Sequence, residues 1–373
     1  MSRITARRSA RSVDRTARTR RGTWSRWPLP LAATWSLVYL GLGVAWLMGA
    51  GGNPADPAVD DGADLSLLAT WGPQAGASII VGLAAVGVLL AVVMMAVQRS
   101  SRAPAGVLYR LPAALAGVLG LVLAVVLPDY RLLATIAYTP ILLVLMLIGA
   151  AQADVSLWTW PVVNMGVVSL AGLAWILTAV VHHRRVAQAC TACGRRQGSS
   201  AWTTPSAAAR WGRLATVVAV VVPLGYASTR YAWALGIPLG VNQQLLDDLG
   251  TGVYAGAGLA TLAVGGAVLT LGLVQRWGEV FPWWMLGLRG RPVPVGLAVV
   301  PALIVSVVLA SAGVMFVRFG LTGEFGDTFP GENDDIAAWL PEMFWPLWAA
   351  ALAAATYAYW LRRRGTCQSC GHG

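Results

Sequence analysis

Nine stretches of the chain, roughly 30–50, 74–97, 108–127, 132–150, 160–181, 214–233, 252–274, 294–317 and 341–361, are almost entirely apolar. A helix rises 1.5 Å per residue, so about 20 such residues cross about 30 Å of hydrocarbon. Only helices and closed barrels satisfy their backbone polar groups in that solvent, and segments of this length and continuity point to helices. Charged residues are 12% of the 373 and hydrophobic residues 57%, far from the roughly 25% charge of soluble chains. The reading is an all-α, polytopic helical membrane protein.

The net charge of +11 therefore carries information through its placement. All 27 basic residues are arginine, which fits the codon bias of a GC-rich genome, and arginine serves the positive-inside rule as well as lysine does. If 1–27, 98–110, 182–213, 275–293 and 362–373 lie inside, they hold 24 of the 27 arginines; Arg131, Arg230 and Arg318 remain outside. The acids sort the other way, with only Asp14 and Glu279 inside and 14 of 16 outside. This predicts a plasma (cytoplasmic) membrane protein with cytoplasmic N- and C-termini. The arginine-rich start could be mistaken for a secretory signal, but its apolar stretch exceeds the usual 7–15 residues. It reads as a basic, disordered tail over 1–27 followed by a retained helix.

Both termini inside require an even number of crossings, and nine runs are available. Internal similarity selects the odd one. Residues 24–49 align without gaps to 211–236, pairing Trp24 with Trp211, Tyr39 with Tyr226, Ala45-Trp46 with Ala232-Trp233 and Gly49 with Gly236. Val97-Gln98-Arg99 then matches Val274-Gln275-Arg276, and Trp160-Pro161 matches Trp345-Pro346. In this register 132–150 has no apolar counterpart; the acidic loop 318–340 stands in its place. The expectation is eight transmembrane helices as two tandem parallel four-helix repeats, 28–200 and 201–373, with 132–150 re-entrant or laterally packed. Nine ordinary spans are the alternative.

Each repeat closes on the same unit. Cys190-Thr-Ala-Cys193-Gly194 follows His182-His183-Arg184-Arg185, and Cys367-Gln-Ser-Cys370-Gly371 follows Arg362-Arg363-Arg364. These are the only four cysteines in the chain. Two thiols separated by two residues can grip one tetrahedral metal, and a trailing glycine tolerates the tight turn. Two such knuckles supply the four ligands of a structural Zn2+ site, with Cys190, Cys193, Cys367 and Cys370 as its metal ligands, and a reducing cytoplasm disfavours disulfides. Sharing of a metal between protomers, completion of one pair by His182, His183 or His372, a thiol–disulfide couple, and unliganded thiols stay open.

Polar groups at membrane depth are few. Arg131, Arg230 and Arg318 are a possible anion or lipid-headgroup site, against plain pairing with the outside acids. Asn164, Asn242, Gln243 and Gln244 suit a cavity lining or interhelical hydrogen bonds. The loop Trp277-Gly278-Glu279-Val280-Phe281-Pro282-Trp283-Trp284, running on to Arg289-Gly290-Arg291-Pro292, mixes aromatics with arginines. Between two membrane helices that pattern anchors the bilayer interface on anionic lipid at the cytoplasmic face, and no nucleic-acid partner is expected. Phosphate-cradling glycine loops, H-E-x-x-H and G-x-S-x-G are all absent, so no catalytic residue or organic cofactor is assigned.

The 277–294 string, the Thr229–Gly240 stretch and the arginine-rich Cys-x-x-Cys-Gly tail resemble uncharacterised multi-pass membrane proteins of actinobacteria, a likeness covering most of 108–373. It implies membrane class and location and no reaction. Transport or shielding of a small or lipidic solute between two pseudo-symmetric halves is the leading functional expectation. A non-transporting scaffold or zinc/redox sensor is the alternative, and a lipid-acting membrane enzyme at the outer arginines is the third.

Overall fold

A computed structural model describes residues 23–99, 109–149, 157–196, 200–323 and 334–371. The described residues are helical, with one isolated bridge between Val280 and Pro292. The long helices are α1 (Pro28–Leu47), α2 (Pro73–Arg99), α3 (Leu111–Leu121, continuing as a π-turn over Val122–Val126), α4 (Tyr130–Leu147), α5 (Trp160–Val186) and α6 (Pro205–Ala234). Then come short α7 (Gln243–Leu249), α8 (Gly252–Leu271), α9 (Val295–Thr322), short α10 (Ile336–Met343) and α11 (Trp345–Arg363). Seven helical segments are long and apolar enough to cross a membrane, and the bent pair α3–α4 makes up to eight. Most of the 1–27 tail lies outside the described residues.

Proline opens several of these helices where its missing N–H costs nothing, as at Pro28, Pro161, Pro205 and Pro346. Packing follows membrane rules. Ala32, Ala84, Ala116, Ala208, Ala219, Ala260 and Ala312 are buried at helix contacts, whereas Leu31, Leu89, Leu170, Leu214 and Leu269 face outward. Large apolar residues outside and small ones inside suit a hydrocarbon solvent, where close backbone approach drives association. One close approach joins α3 to α5: a Cβ on Gly172 would sit 2.5 Å from the Ala124 nitrogen and 2.6 Å from the Gly120 carbonyl.

The two halves show the same pairing. In the first, α1 packs on α2 and α5, and α3 on α5; in the second, α6 packs on α8 and α11, and α9 on α11. Residues aligned by sequence also adopt one cap. Gly49 and Gly236 have φ of +89° and +77°. Their N–H groups donate to Trp46 and Trp233 at 3.0 and 2.9 Å, while Ala50 and Ile237 donate to Ala45 and Ala232, both at 2.9 Å. This is a Schellman cap, and its left-handed residue explains the glycine.

The segment expected as re-entrant or laterally packed is helical. α4 meets the α3 span at 60°, with Asp129 as N-cap accepting from the Arg131 amide at 2.9 Å. It stays beside the end of the bundle where α5 and α8 begin. Thr135 donates to the Leu157 carbonyl, Trp158 to Thr139, and Tyr138 to the Ala255 carbonyl. Pro140 sits inside the helix without ending it.

Arginine segments gather at the opposite end. Arg184 lies over the Trp24 ring at 5.9 Å, and Arg26, Arg99 and Arg185 line one groove. Arg362 pairs with Glu279 at 3.0 Å, and Arg363 donates to the Val293 carbonyl at 2.9 Å. Arg26, the 275–293 loop and the C-terminal cysteines thus share one basic face.

Candidate metal centre

At that basic face α5 and α11 end side by side, and each runs directly into a cysteine knuckle. The knuckles fold alike. Gly194 and Gly371 have φ of +74° and +73°, and their amides donate to the Cys190 and Cys367 carbonyls, both at 2.7 Å. This closes the chain over each Cys-x-x-Cys pair and turns its two thiols toward one point.

The points coincide. Cys190 Sγ lies 4.0 Å from Cys367 Sγ, and Cys193 Sγ lies 3.6 Å from Cys370 Sγ. All four sulfurs fall within 4.8 Å of one another. A regular tetrahedron with metal–sulfur bonds of about 2.3 Å has edges of about 3.8 Å. The donor set therefore fits a thiolate-loving ion in number, chemistry and spacing, and these four cysteines could hold a metal. The thiols are not bonded to one another.

Arginines brace the knuckles through backbone carbonyls. Arg184 donates to Thr191 and Ala192 at 3.0 and 3.2 Å. Arg195, on the first knuckle, reaches the second segment at Gly365 (2.9 Å) and Arg364 (3.3 Å). Arg364 returns to the Cys193 carbonyl at 3.4 Å. The halves are laced together here even before a metal is considered, and the guanidinium charge would offset the net negative charge of four thiolates around a dication.

Burial pushes the Cys193 thiol up to about 12, with thiol neighbours adding to the effect. Cys367 is also pushed up by desolvation, but donation from the Ser369 and Cys370 backbone outweighs this and leaves it at about 7. Four thiols so close cannot all ionise alone, because each thiolate opposes the next.

The histidines considered as additional ligands do not join the cluster. His182 is buried and directs Nε2 to the Tyr109 carbonyl at 3.2 Å. His183 is not among the converging ligands, and His372 lies outside the described residues.

The three arginines expected outside are deeply engaged. Arg131 forks onto both Asp60 and Asp129, with contacts of 2.6 and 2.7 Å. Arg230 is buried and pairs with Glu342, while donating to the Ala337 and Ala338 carbonyls at 2.9 and 3.1 Å. Its guanidinium also lies 4.1 Å from the Trp233 ring centroid. Arg318 donates to the Leu65 carbonyl at 2.6 Å. Arg131 and Arg318 both hold the 53–72 loop, whereas Arg230 holds α10.

The amides act as interhelical or capping groups. Tyr39 donates to Asn164 at 2.6 Å, linking α1 to α5. Asn242 caps α7 and donates to Asp335, and Gln243 donates to Asp247. Sequence reasoning missed the roles of Glu342 and Asp335, which looked like two more acids of an outer loop.

In comparison with known proteins, no family model, curated protein or solved structure matches this chain.

Proposed function

We propose that this is a duplicated integral membrane protein whose halves are locked by a structural Zn2+ site of Cys190, Cys193, Cys367 and Cys370, forming a fixed-seam membrane scaffold. The observation that carries the reading is the meeting of four sulfurs, two from each half, within 4.8 Å. Zinc, when bound, would supply a redox-inert crosslink of high stability. The matching helix pairings, the shared Schellman cap and the superposable knuckle turns support duplication.

Scaffolding is favoured over solute transport because the seam is tied at both ends. Toward the acidic face Tyr130 packs on Phe316 at 5.9 Å between centroids. Leu132, Val162, Met165 and Val308 form one buried cluster across the halves, and Arg318 bonds the first-half Leu65. The cysteines close the basic face. A rocking motion of one half against the other would have to break these contacts along with the cysteine cluster.

The partition of arginines supports a cytoplasmic basic face in a plasma-membrane protein. The same orientation keeps the cysteines in a reducing compartment.

The test is metal content of the full chain purified under reducing conditions. One zinc per chain is expected, replaceable by cobalt with thiolate charge-transfer absorption, and lost in both Cys193→Ser and Cys370→Ser. A chain that contains no zinc and gives no thiolate–cobalt spectrum overturns the metal assignment. Orientation is read separately: Asp61→Cys should label from outside intact cells and Ser200→Cys should not.

A further inference from the structure

Away from the seam, the second half contains a cavity of about 460 Å³ at the basic face, within the ~300–1,000 Å³ typical of ligand sites. α8 packs on α6 and α9 on α11, and the cavity opens between the two pairs. Leu269 of α8 and Leu273 just beyond its end, Leu297 and Val305 of α9, and Trp348 and Leu352 of α11 form its walls. The 275–293 loop roofs it with Trp277, Phe281, Trp284 and Met285.

The roof is built in place. Phe281 and Arg291 pair by backbone at 3.0 Å, Val293 donates to Glu279 at 2.9 Å, and Val280 bridges Pro292. α11 bolts this turn down: Tyr359 donates to the Gly278 carbonyl at 2.7 Å, and Arg362 pairs with Glu279. At the loop's tip Trp283 and Leu286 are 74% and 94% exposed, as expected of side chains that enter an interface.

Charge decides the occupant. Arg276, Arg289 and Arg291 are exposed. Each is joined to a lining residue: Arg276 precedes Trp277 in sequence, Arg289 donates its amide to Met285, and Arg291 accepts from Phe281. The loop's one acid, Glu279, is already held by Arg362. An apolar chamber roofed by a loop whose exposed, unpaired-with-acid charges are three arginines is complementary to a molecule with an acyl tail and an anionic head.

We infer that this cavity binds one anionic phospholipid, an acyl chain between α8 and α9 and the headgroup phosphate on Arg276, Arg289 and Arg291. This site rests on the membrane reading and is independent of the cysteine cluster.

The test is native mass spectrometry of the full chain titrated with phosphatidylglycerol or with phosphatidylcholine of the same acyl chains. One phosphatidylglycerol should be retained about ten-fold more strongly than phosphatidylcholine. Ala302→Trp, which fills the chamber, should lower that retention by at least about ten-fold. The triple variant Arg276→Gln, Arg289→Gln, Arg291→Gln should reduce phosphatidylglycerol to the phosphatidylcholine level. An unchanged far-ultraviolet helical signal and monodisperse elution report that a variant is folded, and Val305→Phe replaces Ala302→Trp if that variant fails this check. The inference is overturned if a folded filling variant retains phosphatidylglycerol unchanged, if the two lipids bind equally, or if filling dissociates a dimer instead.

Discussion

Removing Arg230 should be among the costliest single arginine losses outside the basic face, and the geometry explains why. α10 contains Pro341, which has no N–H to give the carbonyl four residues earlier. That carbonyl belongs to Ala337, and Arg230 donates to it at 2.9 Å in place of the missing helix bond. The same guanidinium pairs with buried Glu342 and stacks over Trp233. Arg230→Met therefore strands a buried carboxyl group and a half-buried carbonyl together. Breaking one side of a buried ion pair costs about 3–5 kcal/mol, and an orphaned buried acceptor about 1–3 kcal/mol. The two are not additive, because Glu342 can relax or take up a proton, so a loss of about 3–5 kcal/mol is expected. Glu342→Gln keeps an acceptor for Arg230 and should lose less.

The double variant Arg230→Met/Glu342→Leu separates the explanations. It removes both charges, and apolar replacement of a buried pair is often neutral or better. What remains is the Ala337 carbonyl, so the double variant should recover to within about 1–3 kcal/mol of the native protein. The assay is steric-trap unfolding of the full chain in lipid bicelles, which reads free energy without requiring chemical denaturation. A loss below about 1 kcal/mol for Arg230→Met would show that the pair contributes little. A double variant as unstable as the sum of the singles would show that the charges are not coupled.

Two further outcomes are expected from the same assay. Arg131→Leu leaves Asp60 and Asp129 facing each other without the guanidinium that both contact, and should cost about 3–5 kcal/mol, more than Asp60→Asn; equal losses would refute the fork as the holding element. Gly172→Ala places a methyl against the α3 backbone and should cost about 1–3 kcal/mol by forcing α3 and α5 apart, whereas Gly82→Ala, with open space around its Cβ position, should change little.

How much of this was legible in the chain depended on the range of the signal. The spans were legible because hydrocarbon imposes a composition on every residue of a helix, and the cysteine cluster because its two units carry a written spacing. Their meeting was less secure: Cys190 and Cys367 are 177 positions apart, and only the repeat argued that the two chain ends adjoin. Arg230 was visible as an ionisable group at depth, but its partner Glu342 sits in a segment that reads as an acidic loop merging into a span. The break between α10 and α11 hides there, since apolar composition continues through Phe344. Three-dimensional pairing across 112 positions leaves no local pattern. The apolar chamber was hidden for a similar reason: the aromatic–arginine loop was readable as an interface anchor, but the volume beneath it depends on how α8 and α9 diverge.

The place where the proposed duplication fails is also the place where the halves join. α4 has no apolar counterpart in the matching register. It packs on α5 of its own half and on α8 and α9 of the other. Tyr130 and Leu132 from its first turn meet Phe316 and Val308, and Tyr138 bonds the Ala255 carbonyl. α10, which occupies the corresponding stretch of the second half, turns back instead onto α6, α9 and α11. Two identical halves would present identical faces, and nothing would fix how they dock laterally. On the proposed duplication, the lateral helix supplies that docking surface on the acidic face, while the two similar knuckles would supply the proposed crosslink on the basic face. The seam is thus built from one asymmetric and one symmetric device, and each holds the end of the bundle that the other does not reach.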